Sequence, residues 1–252
     1  MIVWHLDMTS PNKIFDTVNL KNYKDFTVKI KIKRNLVQNS LSLTNYKNSL
    51  LPLDIHIINI IRGGLLGDLT GIRRSNHPTD CLKIEQNFDK FEYVDHLYNV
   101  LYDFIGTPPS IRDIKGGGAA DRQSYWFRTY SHPELAKIIT PFYHYNPELL
   151  SVIKIIPNDI DQWLNECVLA YWFMDDGSKT KKTYYLNTQS YTLEDQQKLK
   201  NALKTILIDC SIKKDKISND KILYRLEINK DSSDIFRSLI KPYVLPNFNY
   251  KL

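Results

Sequence analysis

Two segments decide the fold: IHIINIIRGGLLGD at residues 55–68 and WLNECVLAYWFMDD at residues 163–176. Each is an apolar stretch with helical periodicity that ends in an aspartate. Three glycines in the first segment and Ala170 in the second are small enough to let two helices approach closely. We therefore predict two helices packed side by side, with one aspartate at the same end of each.

The chain reads as an internal duplication. After each of the two segments, a strand-like stretch reaches a glutamine, Gln86 or Gln189, and each half finishes with a lysine, Lys154 or Lys251. The two aspartates are 108 residues apart, the glutamines 103 and the lysines 97. An offset of about 100 residues indicates one supersecondary unit used twice, with the differences absorbed in loops.

The pattern in each half predicts an α+β fold. Helix, strand, strand, helix, strand, strand, helix follow one another, which gives two pseudo-symmetric α-β-β-α-β-β-α halves with one free face on each antiparallel sheet. We place the first half at residues 51–157 and the second at 158–252. Residues 1–50 form a polar, basic extension, and their low apolar periodicity favours a DNA-contacting arm or a disordered segment over an inherited leader.

Composition excludes several classes of protein. The 252 residues are 42% hydrophobic, enough for a sizeable core, and the three cysteines support neither a disulfide framework nor a zinc ribbon. The most apolar stretch, residues 51–66, is interrupted by charged side chains and predicts no membrane span. The net charge of +6 is concentrated in residues 21–50 and 177–230. This suggests a polyanionic partner, although a solvated lysine-rich surface is an equal alternative.

The paired aspartates suggest a chemistry. Asp68 and Asp176 are each ordinary turn signals when taken alone, but they recur at the same place in both repeats. Two carboxylates brought together repel unless a divalent cation neutralises them, and Mg²⁺ suits such oxygen ligands. This is the layout of two-metal phosphodiester hydrolysis. As pairs, the glutamines could hold reacting waters and the lysines could stabilise phosphate charge, whereas singly each is an ordinary polar surface residue.

The sequence LAYWFMDDG at residues 169–177 resembles the nine-residue signature of the LAGLIDADG homing endonucleases. IRGGLLGDL at residues 61–69 is similar to a first copy of that signature. The resemblance implies two motif helices at the interface of the halves, and two saddle-like sheets that straddle double-stranded DNA. It also implies Mg²⁺-dependent cleavage of both strands at a long target.

The resemblance further implies a set of site residues. Asp68 and Asp176 would bind metal with the carbonyls of Gly67 and Asp175. Gln86 and Gln189 would position water, and Lys154 and Lys251 would be the active-site lysines. The strands and loops around these motifs carry basic side chains able to contact DNA. Those that we assign to DNA binding are Arg73, Arg74, Lys83, Arg128, Lys179, Lys181, Lys182 and Arg225.

The first motif departs from the family pattern at two positions. Arg62 stands where a small or apolar residue is usual, and we expect it to point away from the helix interface or to pair with an acid. Leu69 stands where glycine usually follows the aspartate, and we expect it to lack the positive-φ turn that glycine allows.

Three functions follow from these features. A monomeric homing-type DNA endonuclease is favoured because both aspartates and both lysines are retained. An RNA maturase that assists splicing of its own intron without cutting DNA is the alternative, and the duplication argues against a general basic RNA-binding protein. Five alanines against twenty asparagines suggest AT-rich coding DNA and hence an intron-encoded mitochondrial protein, with a plastid origin as the alternative.

Overall fold

A computed structural model describes residues 40–72, 80–114, 122–218 and 221–252 of the chain. In these ranges the α-helices are α1 (Leu41–Asn48), α2 (Ile55–Leu66), α3 (Phe91–Val100), α4 (Pro133–Ile139), α5 (Ile160–Trp163), α6 (Glu166–Asp176), α7 (Leu193–Thr205) and α8 (Ser233–Ile240). The strands are β1 (Thr70–Ile72), β2 (Cys81–Asn87), β3 (Ser110–Ile114), β4 (Arg122–Arg128), β5 (Tyr143–Asn146), β6 (Ser151–Lys154), β7 (Gly177–Lys179), β8 (Tyr184–Leu186), β9 (Cys210–Ser218) and β10 (Lys221–Ile228).

The two halves have the same architecture, which confirms the predicted fold class. Each half contributes one four-stranded antiparallel sheet, with strand order β1-β2-β4-β3 in the first and β7-β8-β10-β9 in the second. Along β2 buried and more exposed side chains alternate, because successive residues of a strand point to opposite faces. One face of the sheet therefore packs on helices, and the other carries polar side chains.

The two motif helices, α2 and α6, form the junction between the halves. Asp54 caps the first by accepting a hydrogen bond from the His56 backbone N–H, and Asn165 caps the second in the same way from Val168. Helix α6 is buried from residue 167 to residue 175, so it is covered on all sides. A Cβ atom on Gly63 would lie 2.5 Å from the Val168 carbonyl oxygen. The absence of a side chain at Gly63 thus permits the backbones to approach.

Arg62, the first departure from the family pattern, points away from the motif-helix junction as predicted. Its guanidinium lies 4.7 Å from the centre of the Trp163 ring, a distance at which cations and aromatic rings attract. Asp159 also interacts electrostatically with it. The arginine is therefore accommodated beside α5 without disturbing the contact between α2 and α6.

Leu69 lacks a positive-φ turn, as expected, and its counterpart Gly177 lacks one too. Gly177 has a φ of −91°, which any residue adopts, so the second motif uses no positive-φ turn. Glycine is needed there for space, because a Cβ atom would lie 2.0 Å from the Phe173 ring. In the first motif Leu69 is buried against Gly64, so its side chain adds to the core.

The end of the predicted N-terminal extension is helical. Helix α1 is capped by Ser40, and the Tyr46 hydroxyl donates a hydrogen bond to the Asp103 carbonyl of the first half. Residues 40–50 are therefore ordered, so the disordered alternative is wrong for that part of the extension, whereas contact with DNA stays a prediction. Residues 1–39 lie outside the described residues.

A two-stranded hairpin of β5 and β6 lies at the end of the first half, after α4. Strand β6 ends at Lys154, whereas Lys251 lies in a terminal 3₁₀ helix, Pro246–Lys251. The two predicted active-site lysines are thus supplied by unlike elements. In the described ranges, none of the helices is long and apolar enough to cross a membrane.

We expect Gly63→Ala to destabilise the protein by about 1–3 kcal/mol through overpacking, although alanine favours an isolated helix more than glycine does. The free energy of unfolding in urea measures this. Ile55→Ala, in the first turn of the same helix, is a control because Ile55 is 62% exposed. Equal stability of Gly63→Ala and the unmodified chain would contradict the close approach of α2 and α6.

Candidate active site

The two motif aspartates lie at the same end of the paired helices. Asp68 follows the end of α2 by two residues, and Asp176 is the last residue of α6. Burial, together with the charge of Asp68, raises the pKa of Asp176 to about 6. The predicted juxtaposition of the two aspartates is therefore present.

A third carboxylate, that of Asp175, lies between the halves. Its side chain is 4% exposed, and its Oδ2 atom accepts a hydrogen bond of 3.0 Å from the Asp68 backbone N–H. A Cβ atom on Gly67 would lie 2.6 Å from the Asp175 Cβ, so this carboxylate fits only because residue 67 has no side chain. Burial and the charge of Asp68 raise the pKa of Asp175 well above its ordinary value.

The two predicted glutamines have different partners. The Gln86 side-chain nitrogen donates to Asp68 Oδ2 at 3.0 Å and to Asp175 Oδ1 at 2.8 Å. The Gln189 side-chain nitrogen donates instead to Asp215 on β9, at 3.0 Å. Only the first glutamine therefore contacts a motif aspartate among the hydrogen bonds of the described residues.

Strand register explains this difference. Thr70 pairs with Lys83 in β1–β2, so one further pair would place Leu69, the residue after the first motif aspartate, opposite Ile84. In β7–β8 the corresponding residue, Gly177, lies opposite Leu186. Gln86 is two residues beyond Ile84, and Thr188 is two residues beyond Leu186. Continued past the end of β8 at Leu186, this register would place Thr188 rather than Gln189 in the position that corresponds to Gln86.

Lys154 and Lys251 both reach the ends of the motif helices. The Lys154 ammonium donates to the Gly67 carbonyl at 2.7 Å, and the Lys251 ammonium donates to the Met174 carbonyl at 2.8 Å. Burial lowers the pKa of each lysine to about 8. Both therefore carry most of their charge at neutral pH.

Sequence reasoning missed two polar groups at this site. The Lys90 ammonium donates to the Gln86 side-chain oxygen at 3.1 Å, four residues along the chain. The Tyr191 hydroxyl donates to the Leu66 carbonyl at the end of α2 from the second half. Lys90 is only four residues from Gln86, so its proximity to Gln86 could have been predicted from the sequence. Nothing near Tyr191 in the sequence indicates its contact with Leu66.

The free face of the first sheet forms an open cleft of about 570 Å³ that begins at Asp68. Lys83 and Arg128, two of the predicted DNA-binding residues, are direct cross-strand neighbours on β2 and β4. Lys83 also forms an ion pair with Glu85. Arg73 and Arg74 lie outside the described residues. The cleft is lined by Asp68, Thr70, Lys83, Glu85, Gln86, Asn87, Arg112, Ile114, Arg122, Gln123 and Ser124.

The remaining predicted DNA-binding residues belong to the second sheet and its first turn. Arg225 lies 3.8 Å from the centre of the Tyr185 ring and 3.2 Å from Asp215. Lys179 donates to the carbonyl of the C-terminal Leu252. Lys181 and Lys182 are exposed in the turn between β7 and β8. Basic side chains therefore flank the motif helices on both halves.

The oxygen atoms at this site fit a hard divalent cation. Asp68 and Asp176 both lie at the ends of the motif helices, and burial together with the charge of Asp68 raises the pKa of Asp176. In the described part of the chain, no group of three or more His, Cys, Asp or Glu side chains is arranged to hold a metal by itself. Mg²⁺ typically binds through one or two carboxylates and completes its shell with water and phosphate, so this donor set is compatible with it.

Comparison with known proteins identifies the family. The model of the LAGLIDADG DNA endonuclease family matches residues 58–236, and the chain belongs to this family. The structure of the homing endonuclease I-WcaI bound to its DNA recognition sequence superposes with a TM-score of 0.77 at 26% identity, covering 87% of this chain and 97% of that one.

One sequence relative is named a maturase and another an endonuclease. The chain is 28% identical over 254 residues to cytochrome b mRNA maturase bI2 of Saccharomyces cerevisiae, covering 95% of this chain but only 59% of the relative's length. It is also 28% identical over 224 residues to the probable intron-encoded endonuclease 1 of Wickerhamomyces canadensis, covering 85% of this chain and 91% of the relative.

We expect Asp176→Asn to stabilise the protein at pH 7 in the absence of divalent cations, by on the order of 2 kcal/mol. The pKa of Asp176 is higher in the folded state, about 6, than its ordinary value of 3.8. The folded state therefore binds more protons between these values, and its stability falls as the pH rises through that window. Asp176→Asn removes this loss of stability, so the stabilisation relative to the unmodified chain should grow from pH 4 to pH 6.

Urea unfolding at several pH values, with EDTA present, measures the effect. Asp161→Asn, at an exposed position on α5, is the control and should change stability little at any pH. A destabilised Asp176→Asn at pH 7 would contradict the electrostatic strain assigned to this carboxylate.

Proposed function

We propose that this member of the LAGLIDADG DNA endonuclease family is a site-specific endonuclease that hydrolyses both strands of double-stranded DNA with the help of divalent metal. One observation carries the proposal: the motif aspartates Asp68 and Asp176 meet at the ends of two packed helices, each accompanied by a lysine. Carboxylates for metal and cations for phosphate are the groups that phosphodiester hydrolysis requires.

Each motif aspartate, Asp68 or Asp176, would hold metal at one DNA strand, with the carbonyls of Gly67 and Asp175 as further oxygen ligands. When bound, a divalent cation lowers the pKa of an attacking water and neutralises charge on the scissile phosphate. We propose Mg²⁺. The pKa of about 6 for Asp176 leaves this carboxylate ionised at neutral pH. The Gly67 carbonyl already accepts a hydrogen bond from Lys154 and has a second lone pair for a ligand.

Lys154 and Lys251 would stabilise the charge that develops on the scissile phosphates. Both ammonium groups are held by backbone carbonyls of the motif ends, so they are oriented before DNA binds. Such preorganised charge costs no rearrangement at the moment of reaction. In the first half, Gln86 would position water or Asp68. In the second half we propose that Gln189 positions water, and it donates to Asp215 rather than to a motif aspartate.

DNA would lie along the free faces of the two sheets. The cleft beside Asp68 is lined by Lys83, Arg112 and Arg122, which can contact phosphates, and by amide side chains that can contact base edges. Arg225 and Tyr185 offer a planar cation and an aromatic ring on the second sheet. The likeness to I-WcaI, whose structure contains its DNA recognition sequence, supports this placement.

RNA maturase activity is a second candidate function. The similarity to cytochrome b mRNA maturase bI2 extends over 95% of this chain and favours it. The two functions share the basic surface but differ in chemistry, because assistance to splicing makes no demand on the aspartate pair. Binding of the chain's own intron RNA, with faster splicing in its presence, would support this function.

We propose that the protein acts in the mitochondrion, with a plastid as the alternative. The low alanine and high asparagine content indicates AT-rich coding DNA, and a relative is named for cytochrome b mRNA. The duplication supplies both aspartates within one chain, which supports action as a monomer.

We expect the purified chain to cut specific sites in a plasmid library of randomised long targets when Mg²⁺ is present, and to cut none in EDTA. Asp176→Asn should lower the cleavage rate by at least about 10³-fold, because it removes metal charge, and should leave DNA affinity within threefold. Gel analysis of the products and a filter-binding assay in EDTA measure the two effects.

Asp161→Asn is the matched control for that experiment, since it removes an aspartate charge far from the motif ends. Metal-independent cutting, or full cutting by Asp176→Asn, would contradict the proposed mechanism. Binding without cutting, with preference for structured intron RNA, would support the maturase function instead.

We expect gel filtration with light scattering to give one chain per particle, with and without target DNA. The two halves already pack their motif helices against each other, so the contact that a second copy would supply is made within one chain. An obligate dimer would contradict the assignment of both half-sites to one chain.

A further inference from the structure

We propose that the carboxylate of Asp175 is a positioning residue for one of the two half-sites. It would hold Asp68 and Gln86 of the first half from the helix of the second half. This inference rests on the proposed function and deepens it. The signature that names the family has alanine at this position, and a side-chain role for residue 175 has no counterpart in the first motif, where the equivalent residue is Gly67.

The contacts of Asp175 cross the junction between the halves. One oxygen accepts the backbone N–H of Asp68 at 3.0 Å, and the other accepts the Gln86 amide at 2.8 Å. Both contacts join residues about 90 to 110 positions apart in sequence. The hydrogen bond from the Asp68 N–H fixes the backbone of Asp68, which lies two residues after the end of α2.

The same contacts determine what Gln86 can do. Its amide has two N–H bonds, and these go to Asp175 and Asp68, while its oxygen accepts from Lys90. Every donor of Gln86 is thus occupied. With one donor fixed on Asp175, the other is directed at the Asp68 carboxylate, so Gln86 orients the carboxylate in this state of the protein.

The second half has no equivalent arrangement. The residue before the motif aspartate is Asp175 in the second half and Gly67 in the first half. Gly67 faces Asp175 across the junction and has no side chain that could reach the second half. Gln189 donates to Asp215 rather than to a carboxylate of the other half. Among the hydrogen bonds of the described residues, a carboxylate from the other half therefore holds the half-site of Asp68, and none does so for Asp176.

Asparagine and alanine at position 175 separate the two contacts. The two contacts of Asp175 go to different carboxylate oxygens, and asparagine replaces one of these oxygens by an NH2 group that cannot accept, so one of the two contacts is lost. Alanine removes both contacts. We expect graded effects confined to the DNA strand that depends on Asp68.

The test uses the full chain and its library-selected target, with the two strands labelled by different fluorophores. We expect Asp175→Asn to slow the cutting of one strand by about tenfold, and Asp175→Ala to slow it by up to about 100-fold, as for other partners of metal-binding side chains. The other strand should change by less than threefold, so that a nicked product accumulates. Gln86→Ala should slow the same strand.

Asp215→Asn is the control, since it perturbs the carboxylate that accepts from Gln189 within the second half and leaves the contacts of Asp175 in place. It should not slow the strand that Gln86→Ala slows. Equal slowing of both strands by Asp175→Ala, or slowing of the opposite strand from Gln86→Ala, would overturn the proposal.

A second measurement does not depend on cleavage. Hydrogen exchange at the Asp68 backbone N–H should be at least about tenfold faster in Asp175→Ala than in the unmodified chain, because one hydrogen bond is lost. Unchanged exchange would overturn the proposed contact even if cleavage is slowed. If the unmodified chain cuts no target, the proposed function fails, while the exchange result still decides whether Asp175 holds Asp68.

Discussion

The close approach of helices α2 and α6 is the constraint on which the rest of the structure depends. Residues without side chains stand at two contact points, where a Cβ atom would lie 2.5 Å from the Val168 carbonyl oxygen or 2.6 Å from the Asp175 Cβ. Because packed interiors tolerate little overlap, larger residues at these points would separate the helix ends. The distance between Asp68 and Asp176, and with it the proposed chemistry, follows from this contact.

Placing like charges together in a buried junction has an energetic cost. Burial and mutual repulsion raise the pKa values of Asp175 and Asp176, and burial lowers those of Lys154 and Lys251. The free protein therefore carries electrostatic strain at the motif ends. A divalent cation and DNA phosphates would relieve it, which agrees with the tendency of perturbed pKa values to cluster at functional sites.

The sequence was sufficient for the duplication, the motif helices and the meeting of the two aspartates, because apolar periodicity and recurring residues are local signals. The sequence was insufficient to predict how the strands pair, residue by residue. Offsets that vary by several residues cannot distinguish Thr188 from Gln189 as the counterpart of Gln86, and the hydrogen bond of Gln189 to Asp215 is a long-range contact that no local pattern indicates. The side chain of Asp175 was also missed, because the family signature suggests only a backbone role there. Its contacts depend on a residue 107 positions away.

The most direct test of the account is to locate bound ions in the complex of this chain with its selected DNA, by anomalous scattering from Mn²⁺. The account predicts ion density in contact with the carboxylates of Asp68 and Asp176, between the ends of α2 and α6 and the scissile phosphates. Ions bound only elsewhere, or DNA seated on a surface away from these helix ends, would contradict it.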